Sequence, residues 1–198
     1  MVMSCEEEDD LLVPENWSFT EPVRFERFAP ELSELPDATM TIEGTLVVDQ
    51  EGKLLNIMRF GQYGQALVYQ VNTEDPEAPL EYFRCMEFPA NYSKFMIKYD
   101  EGSKRYYTVA DRLYDPEKKS ARNLLSLMCS EDLKQWRVVC DLYDFRAEDH
   151  RKVGLQYVDF SIEGNDLIYL CRTAMNGANN FHDSNYSTFH RIRNYREL

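Results

Sequence analysis

Three turn glycines frame this chain. Gly52, Gly102 and Gly164 lie 50 and 62 residues apart, each between two β-rich runs. The runs occupy residues 41–60, turning at 49–52; residues 94–111, turning at 100–103; and residues 156–173, turning at 163–165. A glycine in such a turn can take the positive φ that a tight hairpin demands. Between these hairpins lie further paired runs, 66–71 with 82–88 and 123–129 with 137–143, and residues 185–195 read as one more strand. Two hairpin types therefore alternate, four strands to a unit of roughly 50 residues. An inner hairpin followed by an outer one is how a propeller blade is wound. A β-sandwich also uses short strands but gives no reason for such alternation, and helical periodicity is nearly absent.

The stretch 124–142 shows how an outer hairpin is closed. Leu124, Leu125, Leu127 and Met128 make an apolar strand, residues 137–142 return, and residues 130–136 form a polar turn. Ser130 and Asp132 can accept hydrogen bonds from turn N–H groups, and Trp136 is large enough to cap the hairpin. Residues 1–25 read as a degraded copy. Met3-Ser4-Cys5 corresponds to Met128-Cys129-Ser130, Asp10-Leu11 to Asp132-Leu133, and Trp17 to Trp136. The acidic run 6–10 is then an enlarged, solvated turn, and 27–38 is a polar, proline-containing connection.

The expected fold is all-β, a partial β-propeller of four-stranded antiparallel blades in one domain, 1–198. It has two full blades and two incomplete ones: half a blade at the start and a last blade without its outermost strand. Closed propellers have about 4–8 blades, and open sheet edges invite aggregation. The expectation is therefore the C-terminal part of a longer propeller whose N-terminal blades are missing. The rival is self-association of two copies into one ring.

A net charge of -13 over 198 residues argues against a nucleic-acid surface. It leaves room for a small acidic ligand, because a few local arginines outweigh a distant field. No run is apolar enough to span a membrane, and no signal peptide opens the chain. As given, the chain is thus expected in the cytoplasm, with its location open if residues precede Met1. Cys5, Cys85, Cys129, Cys140 and Cys171 show no metal-binding spacing. Buried free thiols, no metal and no cofactor are expected.

In a propeller the start of each first strand and the end of each second strand reach one rim. That selects Glu43, Lys94, Gln156, Tyr157 and Asp159, then Arg59, Asp111 and Arg172. Connecting loops add Arg122, Asn176, Asn180, His182, Asp183 and Asn185. The plainest role for Arg59, Arg122 and Arg172 is to bond rim carbonyls or a neighbouring acid. Three arginines on three blades could instead grip an anion. Glu43 and Asp159 could serve as paired carboxylates for glycoside hydrolysis. The sequence has neither a phosphate-binding glycine loop nor a G-x-S-x-G elbow.

Several segments together resemble the C-terminal half of the bacterial sialidase-like propellers of the exo-α-sialidase type with BNR repeats. They are Glu43-Gly44 with Leu46-Val47-Val48-Asp49 and the later Arg59, residues 122–127, residues 130–136, residues 156–160, and residues 172–174 with 182–192. The turn 130–136 resembles the Asp-box turn but lacks its glycine and is one residue shorter. It is closer to the S-x-D-L-x-x-W turn of five-bladed glycosidases. The resemblance implies an arginine triad, Arg59, Arg122 and Arg172, for a sugar carboxylate. It also implies Tyr157 as nucleophile with Glu43 as its partner, and an acid/base aspartate that no position here matches. Asp159, Asp111 and His182 would complete substrate binding. The expected function is a sialidase-like glycoside hydrolase, with weak or no activity from this chain alone and a carbohydrate, sialoside or other glycoside, as its ligand. A neutral-glycoside hydrolase of the five-bladed type and a non-catalytic carbohydrate-binding propeller are the alternatives.

Overall fold

A computed structural model describes residues 1–22, 32, 34 and 40–198. The chain is a partial β-propeller. The first sheet pairs β1 (Met3–Ser4) with β2 (Ser18–Phe19). The second is a four-stranded meander of β3 (Thr41–Val48), β4 (Leu54–Phe60), β5 (Gln65–Gln70) and β6 (Glu81–Glu87). The third repeats it with β7 (Lys98–Asp100), β8 (Arg105–Asp111), β9 (Leu124–Ser130) and β10 (Arg137–Asp144). The fourth has three strands, β11 (Gly154–Glu163), β12 (Asp166–Ala174) and β13 (Tyr186–Ile192). All strand pairs are antiparallel. The connection expected at 27–38 falls outside the described residues apart from Leu32 and Glu34.

The cores lie between sheets. Tyr106 and Ala110 of β8 pack with Leu55, Ile57, Val68 and Met86 of the second sheet. Tyr107 and Val109 of the same strand pack with Leu155, Phe160, Tyr169 and Cys171 of the fourth. Successive β-strand side chains point to opposite faces, so β8 feeds two cores at once. This explains why β9 is buried at every position and reads as an apolar run rather than an alternating one. The outer faces differ: Ile42, Leu46 and Val48 of β3, and Leu170 and Phe189 of β12 and β13, are exposed.

The β1–β2 and β9–β10 hairpins share their register. Met3 pairs with Phe19 and Ser4 with Ser18; Met128 pairs with Val138 and Cys129 with Arg137. With Trp17 matched to Trp136, these are equivalent positions. In the longer turn, Trp17 Nε1 donates to Leu11 O at 3.0 Å. In the shorter one, Ser130 Oγ accepts from Leu133 N at 2.9 Å, and Asp132 Oδ1 accepts from the N–H groups of Lys134 and Gln135 at 2.8 and 3.0 Å. The segment is not polar throughout, as the sequence suggests. Leu133 is fully buried between the second and third sheets at a φ of 59°. The left-handed region costs a residue of this kind roughly 1–2 kcal/mol, and burying a leucine returns about as much.

Two further expectations change. β7 covers only Lys98–Asp100, because residues 94–97 run without strand pairing and Ile97 N reaches across to Thr45 Oγ1 at 3.3 Å. At the second inner turn it is Lys104, not Gly102, that has positive φ, whereas Gly52 and Gly164 do take it. Gly102 serves close approach instead: a Cβ there would lie 3.0 Å from the Arg196 guanidinium carbon.

That arginine joins two blades. Arg196 Nε and Nη2 each donate to the Asp100 carboxylate at 2.7 Å, and Nη1 donates to Gly164 O and Asn165 Oδ1 at 3.0 and 3.1 Å. Tyr195 is buried edge-on against Tyr107 at 5.0 Å. The Arg196 hydrogen bonds hold the Asp100 carboxyl well below the usual aspartate range, against the cost of burial. A depressed folded-state pKa contributes stability above the unfolded value, about 4, that fades as the pH falls below it. Arg196→Ala is expected to cost about 2–3 kcal/mol near neutral pH in urea denaturation. The gap to wild type should narrow below about pH 4; a gap constant with pH would show that packing of Tyr195, not the ion pair, carries the effect.

Candidate functional site

The rim selected from strand ends does assemble, but in two separate parts. On the second sheet, Arg59 at the end of β4 is ion-paired to Glu43 on β3, and its Nη2 donates to Tyr92 O at 2.7 Å. Asn91 shapes the turn beside it, donating to Phe60 O and Gln62 O and accepting from Gly64 N. Arg59 is buried and its charge is balanced by Glu43. It plays the plain structural role, bonding a neighbouring acid and a rim carbonyl.

The other part lies between the third and fourth sheets. Arg122 precedes β9, and its carbonyl accepts from Leu155 N at 2.8 Å, tying the two blades together. Its guanidinium donates to Gln156 Oε1 and lies 5.4 Å from the ring centres of both Tyr157 and Phe181. Arg172, paired with Gln156 across β11 and β12, lies 5.1 Å from the same Tyr157 ring and donates to His182 O at 2.8 Å. Gln156 fixes the arrangement by donating to Phe181 O, His182 O and Ser184 Oγ at 2.9, 2.8 and 3.1 Å. Among the described residues, no carboxylate lies within ion-pair distance of Arg122 or Arg172.

Tyr157 sits at a β-bulge. The register slips between Gln156–Arg172 and Asp159–Leu170, and Tyr157 has a φ of 56°. A bulky residue in this region is strained by roughly 1–3 kcal/mol, and such strain gathers at binding and catalytic positions. Bulges re-aim side chains in the same settings. Here the bulge delivers a half-buried phenol to two guanidiniums, each in cation–π contact with it.

Asp111 ends β8 wholly buried. Burial pushes its carboxyl up to about 8, although Arg122 and Ser93 pull the other way. Asp111 Oδ1, Ser93 Oγ, Arg122 Nε and Arg59 Nε are all buried without a hydrogen-bond partner.

The remaining expected site residues divide. His182 is placed at the rim through its backbone carbonyl; its exposed imidazole contacts Asp183 Oδ1 at 3.3 Å and meets the Tyr157 ring edge-on at 6.4 Å. Asp159 does not join the rim. Past the bulge it lies mid-strand and exposed, 3.4 Å from Lys98 Nζ, so it does not pair with Glu43 as a carboxylate couple. Glu43 is engaged with Arg59, and no hydrogen bond joins it to Tyr157 among the described residues. Phe181, Ser93 and Tyr92 were not picked out from sequence, because loop residues that touch the site only after blades pack carry no spacing signal. Among the described residues, no three His, Cys, Asp or Glu side chains converge as metal ligands would.

No protein-family model matches the chain, and no curated protein does. Solved structures similar to it include the α-L-arabinofuranosidase Arb93A of Fusarium graminearum, at 8% identity and TM-score 0.48 over 77% of this chain and 48% of that one. A GH43 β-1,3-galactosidase matches at 14% identity and TM-score 0.47, over 77% and 31%. The periplasmic gluconolactonase of Pseudomonas aeruginosa matches at 17% and 0.44, over 81% and 43%. The chain spans less than half the length of each. At these identities and scores no activity transfers to it.

The loop that carries Phe181 and His182 depends on Gly154, where a Cβ would lie 3.1 Å from Phe181 O. Backbone cannot swing aside as a side chain does, so Gly154→Ala is expected to displace residues 181–184 and cost about 1–3 kcal/mol. Chemical denaturation reads the stability. Tyr157 and His182 side-chain NMR shifts read the displacement, and unchanged shifts would show that the loop does not depend on this contact.

Proposed function

We propose that this rim recognises an acidic glycoside, in the manner of a sialidase-type propeller. The observation that carries the reading is the pair of guanidiniums, Arg122 and Arg172, that share the Tyr157 ring without a carboxylate within ion-pair distance among the described residues. Two like charges held at one ring repel, and an anion between them relieves that cost. A sugar carboxylate fits the planar donor forks of two arginines. Arg59 is not part of the grip, because Glu43 neutralises it. The anion site thus has two arginines rather than three.

Tyr157 is the residue such a site would present to the anomeric carbon. A neutral phenol does not repel an anionic ligand, and it needs a nearby base to become a nucleophile. Since Glu43 is spent on Arg59, recognition by this chain is expected to exceed turnover.

Thermal-shift titration with N-acetylneuraminic acid, its 2,3-unsaturated analogue and neutral galactose and arabinose tests this. The acidic sugars alone should raise the melting temperature. Arg172→Ala should weaken binding at least about tenfold, a loss of roughly 1.4 kcal/mol. Tyr157→Phe should keep binding. Stabilisation by neutral sugars alone, or acidic-sugar binding that survives Arg122→Ala with Arg172→Ala, would overturn the reading.

A further inference from the structure

The side chains that join one sheet to the next recur at fixed places, and the recurrence breaks at both ends of the row of sheets. Arg59, Asp111 and Arg172 stand at the rim ends of β4, β8 and β12. Two residues before them come Ile57, Val109 and Leu170. Each pairs with an apolar residue on the third strand of its sheet: Ile57 with Val68, Val109 with Leu127, and Leu170 with Phe189. Ile57 and Val68 lie in the core between the second and third sheets, and Val109 and Leu127 in the core between the third and fourth. All four are 0% exposed. Leu170 and Phe189, at the same places in the fourth sheet, are 56% and 60% exposed. A lone exposed leucine is ordinary; a cross-strand apolar pair at positions that two other sheets bury completely marks a contact surface.

The opposite face breaks off in the same way. At the inner turns, Val48 pairs with Leu54, Tyr99 with Tyr106, and Ile162 with Leu167. Two residues before the first member of each pair come Leu46, Ile97 and Phe160. Ile97 and Tyr99 pack in the core shared with the second sheet, and Phe160 and Ile162 in the core shared with the third. Leu46 and Val48, their equivalents on β3, are 46% and 52% exposed. The β1–β2 hairpin reaches the second sheet elsewhere, where Val2 packs with the cluster of Tyr69, Val71 and Leu80.

The chain thus carries both halves of one sheet-on-sheet contact, unjoined. The second and fourth sheets lie on opposite faces of the third, so the two halves point away from each other within one molecule. Wherever this chain covers a surface of the Leu170–Phe189 kind, it does so with a surface of the Leu46–Val48 kind. We propose that a second copy of the chain supplies each missing half. Leu170 and Phe189 of each copy pack on Leu46 and Val48 of the other, and the two contacts join the pair head to tail into a closed ring. Three larger sheets from each copy make a ring within the range of about 4–8 blades for closed propellers. The charges bordering the Leu170–Phe189 patch do not oppose this. Asp159 is held by Lys98, and Glu163 and Asp166 both by Arg191. The pairing is independent of what the rim binds.

Sedimentation velocity and light scattering on the full chain test it, from about 1 to 100 µM at about 0.15 M salt, where repulsion between acidic copies is screened. The expected species is a dimer, with twice the chain mass of 23.4 kDa, that dissociates on dilution. Leu46→Glu and Leu170→Glu lie at exposed positions and should keep the far-UV circular dichroism of the wild type. Each should raise the dimer dissociation constant at least about tenfold, because a carboxylate is then pressed into an apolar contact. An equal mixture of the two variants should associate more tightly than either alone, since one intact Leu170 face meets one intact Leu46 face. A contact between two like faces gives no such recovery. A monomer over the whole range, species that grow beyond two copies, a dimer that either variant leaves unchanged, or a mixture no tighter than its components would each overturn the proposal. The wild-type mass needs no variant to fold.

Discussion

The packing of sheet on sheet, face to face, sets every other feature of this molecule. A blade between two neighbours must bury both of its faces, so its middle strands can hold few exposed positions. β8 divides its side chains between two cores, and β9 is buried throughout. Each fully buried leucine or phenylalanine is worth about 1.5–3 kcal/mol, and the sum outweighs the unusual backbone needed to reach it. Leu133 is the clearest case: it accepts a left-handed turn conformation to plug the gap between two blades. At the C-terminus Tyr195 is buried against Tyr107, beside the Arg196–Asp100 clamp.

The rim is where that packing gives way to polar chemistry. At a sheet end the strand pairing stops, and carbonyls and side chains must find other partners. On the second sheet they find one another, and the Glu43–Arg59–Tyr92 arrangement closes on itself. Between the third and fourth sheets they do not. Gln156 uses its amide to fasten the 181–184 loop, Tyr157 leaves the regular pleat at a bulge, and Arg122 and Arg172 both turn to its ring. Aromatic faces attract these cations but do not neutralise them. The same type of residue at corresponding strand ends is thus balanced by a carboxylate on one blade, Arg59 by Glu43, and packed on an aromatic ring on another, Arg172 on Tyr157.

Much of the architecture follows from local patterns. Alternating hairpins, turn residues such as Asp49, Gly52 and Gly164, and the Trp17–Trp136 correspondence all lie within single stretches of chain, and all appear in the fold. Local pattern falls short where an element's neighbours decide. β7 is cut short because residues 94–97 lie against β3 rather than pairing within their own hairpin. Gly102 is a glycine for the sake of Arg196, a residue 94 positions later in the chain. Asp159 left the rim because one extra residue in β11 shifts everything that follows it.

By itself, then, the sequence determined the blade repeat, the order of strands and the short list of side chains that could reach one rim. Hydrophobic spacing and turn chemistry act over a few residues and are written directly in the chain. Only the tertiary structure decided which of those side chains are already satisfied. Whether an arginine has a carboxylate beside it depends on which strands and loops lie next to it after the blades pack. Burial likewise pushes the Asp111 carboxyl up, and burial is set by packing. Charge balance is a property of neighbours in space, and spacing along the chain does not encode it.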